Sequence, residues 1–223
     1  MTGQSKPNVV ASLLCIHAAV TRGLEVALTS VKPLCEASSD ASTREGFLNY
    51  VRALSSIIHG HHLTEDELAF PCFRNKLREA PFDLLMMQHQ QIVPVLKEID
   101  AAVAMCDEGS MSEGFRRLDR ALERMIALWR PHVQIEEEHF TFAWLESLRI
   151  PDEEHARLMN QIVEHSQKHT GPPYLVLPFM LYNLQPDKRA LMAADFPPEV
   201  SQHLIPVAWK DQWATMKPFL LEP

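Results

Sequence analysis

Residues 59–71, HGHHLTEDELAFP, decide the fold that this chain is expected to adopt. His61 and Glu65 are four residues apart, so on a helix their side chains lie on one face. His62 adjoins His61, and the apolar stretch LAFP follows closely behind. Because a solvated helix face is rarely so rich in histidine beside an apolar stretch, these residues predict one half of a buried metal site.

A near copy of this stretch occurs at residues 132–142, HVQIEEEHFTF, where His132 and Glu136 are again four residues apart. The separation between the two motifs is 71 residues for the histidine and also for the glutamate. One such pair is expected by chance in a chain with 11 histidines, but two pairs in register indicate a repeat.

A second pair of histidines fits this repeat to within one residue, because His89 follows His17 by 72 residues. Each half of the repeat is then a helical hairpin, in which the first helix carries one histidine and the second carries H-x-x-x-E. Two such hairpins packed together predict an all-α, up-down four-helix bundle with ligands projecting inward from all four helices.

Apolar residues at steps of three and four predict the helices of this bundle. The predicted helices cover residues 8–31, 44–79, 81–107 and 112–149. The polar, proline-containing stretch 32–43 is predicted to be a loop, with Ser42 or Thr43 as the cap of the second helix. Pro71 is expected to kink or interrupt that helix just beyond the motif.

The character of the sequence changes after Pro151. Residues 152–169 predict one more amphipathic helix, and residues 171–223 combine many prolines with short apolar segments. We therefore predict two parts: residues 1–150 form the four-helix metal-binding domain, and residues 151–223 form a C-terminal helical extension packed on the bundle.

Composition sets limits on partners and location. The net charge of −8 argues against a nucleic-acid partner, and no uniformly apolar run approaches the roughly 18 residues of a membrane span. The four scattered cysteines form no C-x-x-C pair, which predicts reduced thiols in a cytoplasmic protein. A faint likeness of the N-terminal apolar stretch to a signal peptide is outweighed by its helical continuation.

The candidate ligands are all imidazoles and carboxylates, a donor set that suits iron, manganese or zinc. They are His17, His61, His62, Glu65, His89, His132 and Glu136. Seven groups exceed the four of a structural zinc site and suit two metals a few ångströms apart. Glu65 and Glu136 can each bridge the metals, because a carboxylate has two oxygens.

The pattern H…HHxxEDxxxFP…H…HxxxEE resembles the hemerythrin-like, HHE cation-binding family, over about residues 10–149. The resemblance implies a four-helix bundle that holds a non-haem di-iron centre, with two iron ions joined by an oxo or hydroxo bridge. It also implies dioxygen as a partner, in reversible binding, in iron or oxygen sensing or in oxidation chemistry.

Residue by residue, His17 matches the single histidine of the family's first helix, and His89 matches a histidine of the third. His61 with Glu65 and His132 with Glu136 match the two H-x-x-x-E motifs.

The sequence departs from the family's oxygen carriers on the third helix. The carriers have two histidines four residues apart there, whereas Leu85 and Val93 lie four residues to either side of His89. We predict that His62 supplies the missing ligand. In addition, Glu136 stands where the carriers have an aspartate. With these two departures, the metal site of the family carries over to this chain, but the oxygen-carrier role does not follow.

The other polar residues near the motifs are predicted to have supporting roles or none. Asp66 and Glu137 are expected to accept hydrogen bonds from ligand histidines, or else to be solvated acids. His59 and His139 are left out of the ligand set. The remaining histidines, His155, His165, His169 and His203, are expected on the surface.

Three functions remain open from the sequence. The first is a di-iron protein that binds iron and dioxygen for storage, sensing or detoxification. The second is a di-iron oxidase or oxygenase acting on a small organic substrate, with the aromatic-rich tail forming part of the pocket. The third is a metal-free helical interaction module. The sequence identifies no catalytic residue, substrate or oligomeric state.

Overall fold

The computed structural model describes residues 8–36 and 40–221, and no β-strand occurs within these ranges. The four long helices are α1 (Val9–Glu36), α2 (Ala41–Thr64), α4 (Phe82–Asp107) and α5 (Met111–His139), with the short α3 (Phe70–Phe73) after α2. Helix α5 packs on α1 and α4, and α2 packs on the same two helices, which closes a ring of four. The predicted all-α four-helix bundle is confirmed.

The apolar stripe of α5 shows how the sequence forms the core. Phe115, Leu118, Leu122 and Trp129 follow one another at helical spacing, and each is at most 1% exposed. Burial of such side chains contributes about 1.5–3 kcal/mol each, which holds the helix against its neighbours. The stripe continues directly into His132, so the packing that builds the core also aims the ligands inward.

The region predicted as a loop at 32–43 is partly helical, because α1 runs to Glu36 and passes through Pro33. Val31 and Leu34 are buried against the core, and this burial offsets the hydrogen bond that Pro33 cannot donate. Residues 37–39 lie outside the described part of the chain.

The predicted cap of α2 was wrong. The helix begins at Ala41, and the Asp40 side chain accepts a hydrogen bond from the Thr43 backbone N–H at 2.8 Å. Aspartate is as good a cap as serine, so the helix starts earlier than its apolar residues indicated.

The second predicted helix does not run to residue 79 as one α-helix. Its backbone changes from α-helical to π-helical geometry within the motif. A π-helical turn (Glu65–Ala69) follows α2, and the Phe70 N–H donates to the Glu65 carbonyl five residues back. Pro71 follows directly and has no N–H to donate to residue 67, so the wider turn precedes the proline. The predicted interruption therefore begins on the N-terminal side of Pro71, at Glu65.

The fourth predicted helix also ends earlier, at His139 rather than at residue 149. Thr141 has an extended backbone, and its side chain accepts a hydrogen bond from the Trp144 N–H, which starts the separate helix α6 (Phe142–Ser147). The chain therefore changes direction at Phe140, directly after the second motif.

The C-terminal part of the chain is a series of helical segments: α7 (Asp152–His169), α8 (Pro173–Tyr182), α9 (Pro186–Ala194), a π-helical segment (Val200–Ala208), α10 (Lys210–Trp213) and a 3₁₀ segment (Ala214–Phe219). α8 packs on α1 and α2, while α7 and the 3₁₀ segment pack on α2. The division of the chain at residue 150 stays a prediction.

Helix α1 contains a stretch, Val9–Cys35, that is long and apolar enough to cross a membrane by length and composition. Helices in the core of a bundle meet the same two criteria, and α1 packs here on α2 and α5. The expectation that no segment is long and apolar enough to span a membrane is therefore wrong by length and composition. The absence of a membrane partner stays a prediction.

Candidate metal centre

Five imidazoles and two carboxylates converge in the interior of the bundle. They form two overlapping groups, His62–Glu65–His89–His132 and His17–His61–Glu65–Glu136, and in each group one donor atom per residue lies within 4.8 Å of the others. All seven side chains are buried. The structure thus brings together every residue of the predicted ligand set; that they ligate metal stays a prediction.

Each of the four bundle helices contributes to this cluster. α1 provides His17, α2 provides His61 and His62, α4 provides His89, and α5 provides His132 and Glu136. Glu65 is the first residue of the π-helical turn. The carboxylate shared by both groups therefore comes from the point where the helix widens, a local geometry often found at functional sites.

Glu65 lies between the two groups. Its Oε1 is 3.4 Å from His61 Nε2, and its Oε2 is 3.6 Å from His89 Nε2. Glu136 has a similar position, because its Oε2 lies 3.1 Å from His17 Nε2 and 3.4 Å from His132 Nε2. Both carboxylates are placed where each could join two metal ions.

His62 belongs to the group that contains the third-helix histidine. Its ring stacks on that of His89 at a centroid distance of 4.1 Å, and it lies 5.0 Å from the ring of His132. Three imidazoles therefore surround one half of the centre although α4 contributes only one of them.

The donor atoms have the properties that metal ligation requires. Among the described residues, no hydrogen bond of acceptable geometry reaches the buried Nε2 atoms of His17, His61 and His62, Glu65 Oε2 or either oxygen of Glu136. Buried polar atoms are almost always paired, and neutral imidazole nitrogens and carboxylate oxygens are strong donors to divalent metals. The residues present therefore fit a metal centre.

A second set of polar residues fixes the orientation of the imidazoles. The Nδ1 atoms of His17, His89 and His132 contact Glu137 at 3.0 Å, Asp66 at 2.8 Å and Gln88 at 3.0 Å, respectively. These contacts leave the Nε2 atoms of the three rings to face the centre, as in many metal sites. Asp66 and Glu137 occupy the positions expected of them, whereas Gln88 had no sequence signal beyond its place beside His89.

Burial and mutual charge shift the pKa values in the cluster. Burial lowers the pKa of His61 and of His62 well below the usual value, and lowers the pKa of His132 to about 4. Burial and the neighbouring Glu136 raise the pKa of Glu65 well above its usual value. Without metal, these three imidazoles are thus held in the neutral form, which is the form that binds metal.

His17 and Glu136 shift in the opposite directions. Burial alone would lower the pKa of His17, but the close contact with Glu136 and the hydrogen bond to Glu137 raise it. Burial likewise disfavours ionised Glu136, but the close contact with His17 and the surrounding imidazoles lower its pKa to about 2. These shifts favour a protonated His17 beside an ionised Glu136, and a metal bound at His17 Nε2 would displace that proton.

Aromatic side chains close the centre from two sides. The indole of Trp129 lies 5.7 Å from the rings of His17 and His62, and its Nε1–H donates to Thr21 Oγ1 at 2.9 Å. Phe70 stacks on His89 at 5.6 Å. These contacts keep the ligand rings in fixed orientations and reduce access of water.

A cavity of about 80 Å³ leads to one side of the centre. It is bounded by α1, the end of α2, the π-helical turn, α3, α6 and α7, and its wall includes His61 and Glu65. None of the other five predicted ligands lines it. The cavity therefore reaches the half of the cluster that contains His17 and His61.

The histidines outside the predicted ligand set lie in several environments. His59 and His203 are exposed, and His139 contacts the Ile135 carbonyl rather than the cluster. The surface position expected for His165 was wrong: its side chain is only 13% exposed because α7 packs on α2. His155 is also half-buried, with a buried Nε2, whereas His169 is exposed as expected.

His165 joins the extension to the motif. Its Nδ1 lies 3.0 Å from Thr64 Oγ1, and its Nε2 lies 2.8 Å from Glu67 Oε2, so it holds residues on both sides of Glu65. Sequence periodicity could not reveal this contact, because the partners are about 100 residues apart.

Comparison with known proteins agrees with this geometry. The family model described as hemerythrin HHE cation binding domain matches residues 16–141, more than half of the 223-residue chain and all seven cluster residues. A search of curated proteins and a search of solved structures found no match. The chain belongs to the hemerythrin HHE cation-binding domain family.

Proposed function

We propose that this chain is a non-haem di-iron protein that binds iron and dioxygen, for oxygen or iron binding, sensing or storage. Its family implies cation binding, and the histidine–glutamate cluster fits a metal site. The observation that supports two metals is the presence of two donor groups that share Glu65. A single structural ion would need only about four of the seven donors.

The choice of iron rests on the donor set and on the family. Nitrogen and oxygen donors without thiolate suit iron, manganese and zinc, and two bridging carboxylates are typical of di-iron sites in helical bundles. When bound and reduced, a di-iron centre supplies electrons to dioxygen.

The two halves of the cluster differ in their number of imidazoles. One half has His62, His89 and His132, whereas the other has only His17 and His61. Both halves have four protein donors, but the cavity reaches His61 and none of the imidazoles of the other half. We therefore place the dioxygen position on the His17–His61 side.

The chain's own residues would hold and protect the centre. Glu65, which belongs to both donor groups, and Glu136 would hold the metals, while Asp66, Gln88 and Glu137 orient the imidazoles from behind. The apolar surroundings exclude water, which slows loss of electrons to side reactions.

A second candidate function is a di-iron oxidase or oxygenase that acts on a small organic substrate. The observation that favours it is the cavity beside His61, because Met159 and Ile162 of α7 line it together with bundle residues. A purely oxygen-binding protein needs no such space beyond the size of dioxygen.

The proposed setting is a reducing, cytoplasmic one without a nucleic-acid or membrane partner. All four cysteines are free, and Cys15 and Cys106 are buried. Free thiols support this location, which awaits a localisation experiment.

Metal analysis of the aerobic protein tests the proposal. We expect about two irons per chain, a near-ultraviolet absorption band, and loss of iron in His61→Ala and His132→Ala but not in His155→Ala. Less than one iron after anaerobic loading, or one tightly held zinc instead, would overturn it.

Exposure of the reduced protein to dioxygen separates the two candidates. Uptake that reverses under vacuum supports a binding role. Rapid irreversible oxidation that accelerates with an added organic compound supports an enzyme.

A further inference from the structure

The cavity beside the centre has walls of largely apolar character. Val9 and Leu13 of α1, Phe73 of α3, and Met159 and Ile162 of α7 form much of its surface. Glu65 and His61, both part of the metal cluster, are the two ionisable side chains among the described residues that line the space. The rest of the wall offers no charge to pair with a charged molecule, so it disfavours one. The chemistry of the cavity thus favours a neutral, mainly apolar occupant.

Two of the three residues with hydroxyl groups in the wall, Thr64 and Ser12, already have partners for them; Ser166 is the third. Thr64 Oγ1 donates to the Gly60 carbonyl at 2.7 Å and contacts His165, and Ser12 Oγ lies 3.4 Å from Asp195 Oδ2. These groups add little to the binding of a molecule in the cavity.

Trp144 is different from these hydroxyl groups. Its ring lines the cavity and packs edge-on against Phe73 and Phe140 at 5.0 and 5.4 Å. Its indole Nε1–H is buried and has no acceptor among the residues that the structure describes. A buried tryptophan N–H usually has a partner, so we take this unpaired donor, on a ring that lines the cavity, as the group that a ligand would use.

The volume limits the size of the occupant. One water molecule needs about 10–15 Å³ of cavity volume. If each non-hydrogen atom is counted as one water, a cavity of about 80 Å³ has room for about five to eight such atoms. A molecule of this size would fill the space between Trp144 and the centre.

We propose that this cavity is a binding site for a small neutral organic molecule with an apolar body and one hydrogen-bond acceptor, which pairs with the Trp144 N–H. Met159 and Ile162 limit the size of the molecule. Both residues lie in α7, beyond the segment 16–141 matched by the family model, so this wall comes from the chain's own extension.

Any role of such a molecule at the metal centre rests on the proposed di-iron function. The binding of the molecule in the cavity does not. Binding is therefore measured in protein treated with a chelator, and the metal content is measured separately. Failure of iron loading with intact cavity binding contradicts the di-iron function alone, and the reverse result contradicts the cavity proposal alone.

Cyclopentanone is a suitable probe, since it has six non-hydrogen atoms and one carbonyl acceptor. In the wild type, nuclear magnetic resonance follows the indole N–H signal of Trp144, assigned by its loss in Trp144→Phe, and we expect saturable binding to shift this signal. The affinity of both proteins is measured on the signals of the probe, and we expect about fivefold weaker binding in Trp144→Phe, as for one net hydrogen bond of about 1 kcal/mol. Cyclopentane, which lacks the acceptor, should bind wild type and Trp144→Phe equally.

A pair of size variants tests the location. Met159→Trp fills the cavity and should abolish cyclopentanone binding, whereas Val163→Trp, at an exposed position of the same helix, should not. Circular dichroism checks that both variants fold, and Ile162→Phe serves as a second filling variant.

The absence of saturable binding, unchanged affinity in both filling variants, or equal effects of Trp144→Phe on both probes would overturn the proposal.

Discussion

The imidazole of His62 stacks on that of His89, with centroids 4.1 Å apart and ring planes 18° apart. This contact brings an α2 residue into the half of the centre that α4 supplies with only one histidine. His62 therefore lies where the predicted ligand set needs it, although the preceding residue, His61, belongs to the other half.

Replacement of His62 by alanine should reduce the metal content from about two ions per chain to about one. The change removes one of three imidazoles from one half but leaves His17, His61 and both carboxylates in place. Metal analysis after anaerobic loading and desalting measures this ratio.

His59→Ala is the matched control, because His59 lies in the same helix and is exposed. It should keep the wild-type ratio. If His62→Ala also retained both ions with unchanged affinity, the assignment of His62 as a ligand would be wrong.

Replacement of Asp66 by alanine should weaken metal binding by about 10–100-fold without removing a ligand. Asp66 Oδ1 lies 2.8 Å from His89 Nδ1 and fixes both the tautomer and the direction of that ring. Competition with a chromophoric chelator measures the affinity.

Glu138→Ala provides the comparison, since Glu138 is an exposed acid that contacts Gln134 rather than a ligand histidine. It should bind metal as the wild type does. Equal losses in the two variants would point to a general charge effect instead of orientation of His89.

The metal-free protein should lose stability as the pH falls from 6.5 to 5. The lowered pKa values of His61, His62 and His132 mean that the unfolded chain, with pKa values near 6.5, binds more protons than the folded one in this range. The raised pKa of Glu65 opposes this loss of stability, because folded Glu65 binds about one proton more than unfolded Glu65 in this range.

The raised pKa of His17 makes the folded protein lose stability as the pH rises, but only above about pH 6.5. At lower pH, His17 is protonated in both the folded and the unfolded state. The net result is a decrease of about 3 kcal/mol in the free energy of unfolding between pH 6.5 and 5. Urea denaturation with chelator present measures it, and His62→Gln should show a smaller decrease. Equal stability at both pH values would contradict the burial of neutral imidazoles.

Replacement of Gly46 by alanine should destabilise the fold by about 1–3 kcal/mol, although alanine favours helix by about 1 kcal/mol. A Cβ at this position of α2 would lie 1.9 Å from the carbonyl oxygen of Thr215, in the 3₁₀ segment. The added atom would push the C-terminal segment away from the bundle.

Thermal or urea unfolding measures this effect, with the exposed Ser42→Ala as a control expected to change stability by less than about 0.5 kcal/mol. A more stable Gly46→Ala protein would show that the extension does not pack closely on α2. That result would also contradict the prediction that residues 151–223 pack on the bundle.

The bundle could be predicted from the sequence because its signals are local and repeated. Helical spacing of apolar residues identified α1, α2, α4 and α5, and the 71-residue repeat related the two motifs. The same spacing brought His61 and Glu65 onto one face, and Glu65 still faces the cluster from the first residue of the π-helical turn.

The parts that the sequence could not reveal depend on contacts between distant residues. The π-helical turn arises where Pro71 meets a buried motif, and the ends of α1 and α5 are set by packing and by the Thr141 cap. The position of His165 against Thr64 and Glu67 depends on how α7 packs. No periodicity within α7 encodes its partner.

Anomalous X-ray diffraction at the iron absorption edge, from crystals of the iron-loaded protein, tests the di-iron centre most directly. The account predicts two peaks per chain. One should lie beside the Nε2 atoms of His62, His89 and His132, and the other beside those of His17 and His61, with Glu65 between them. A single peak, or two peaks of which neither contacts His62, would contradict it.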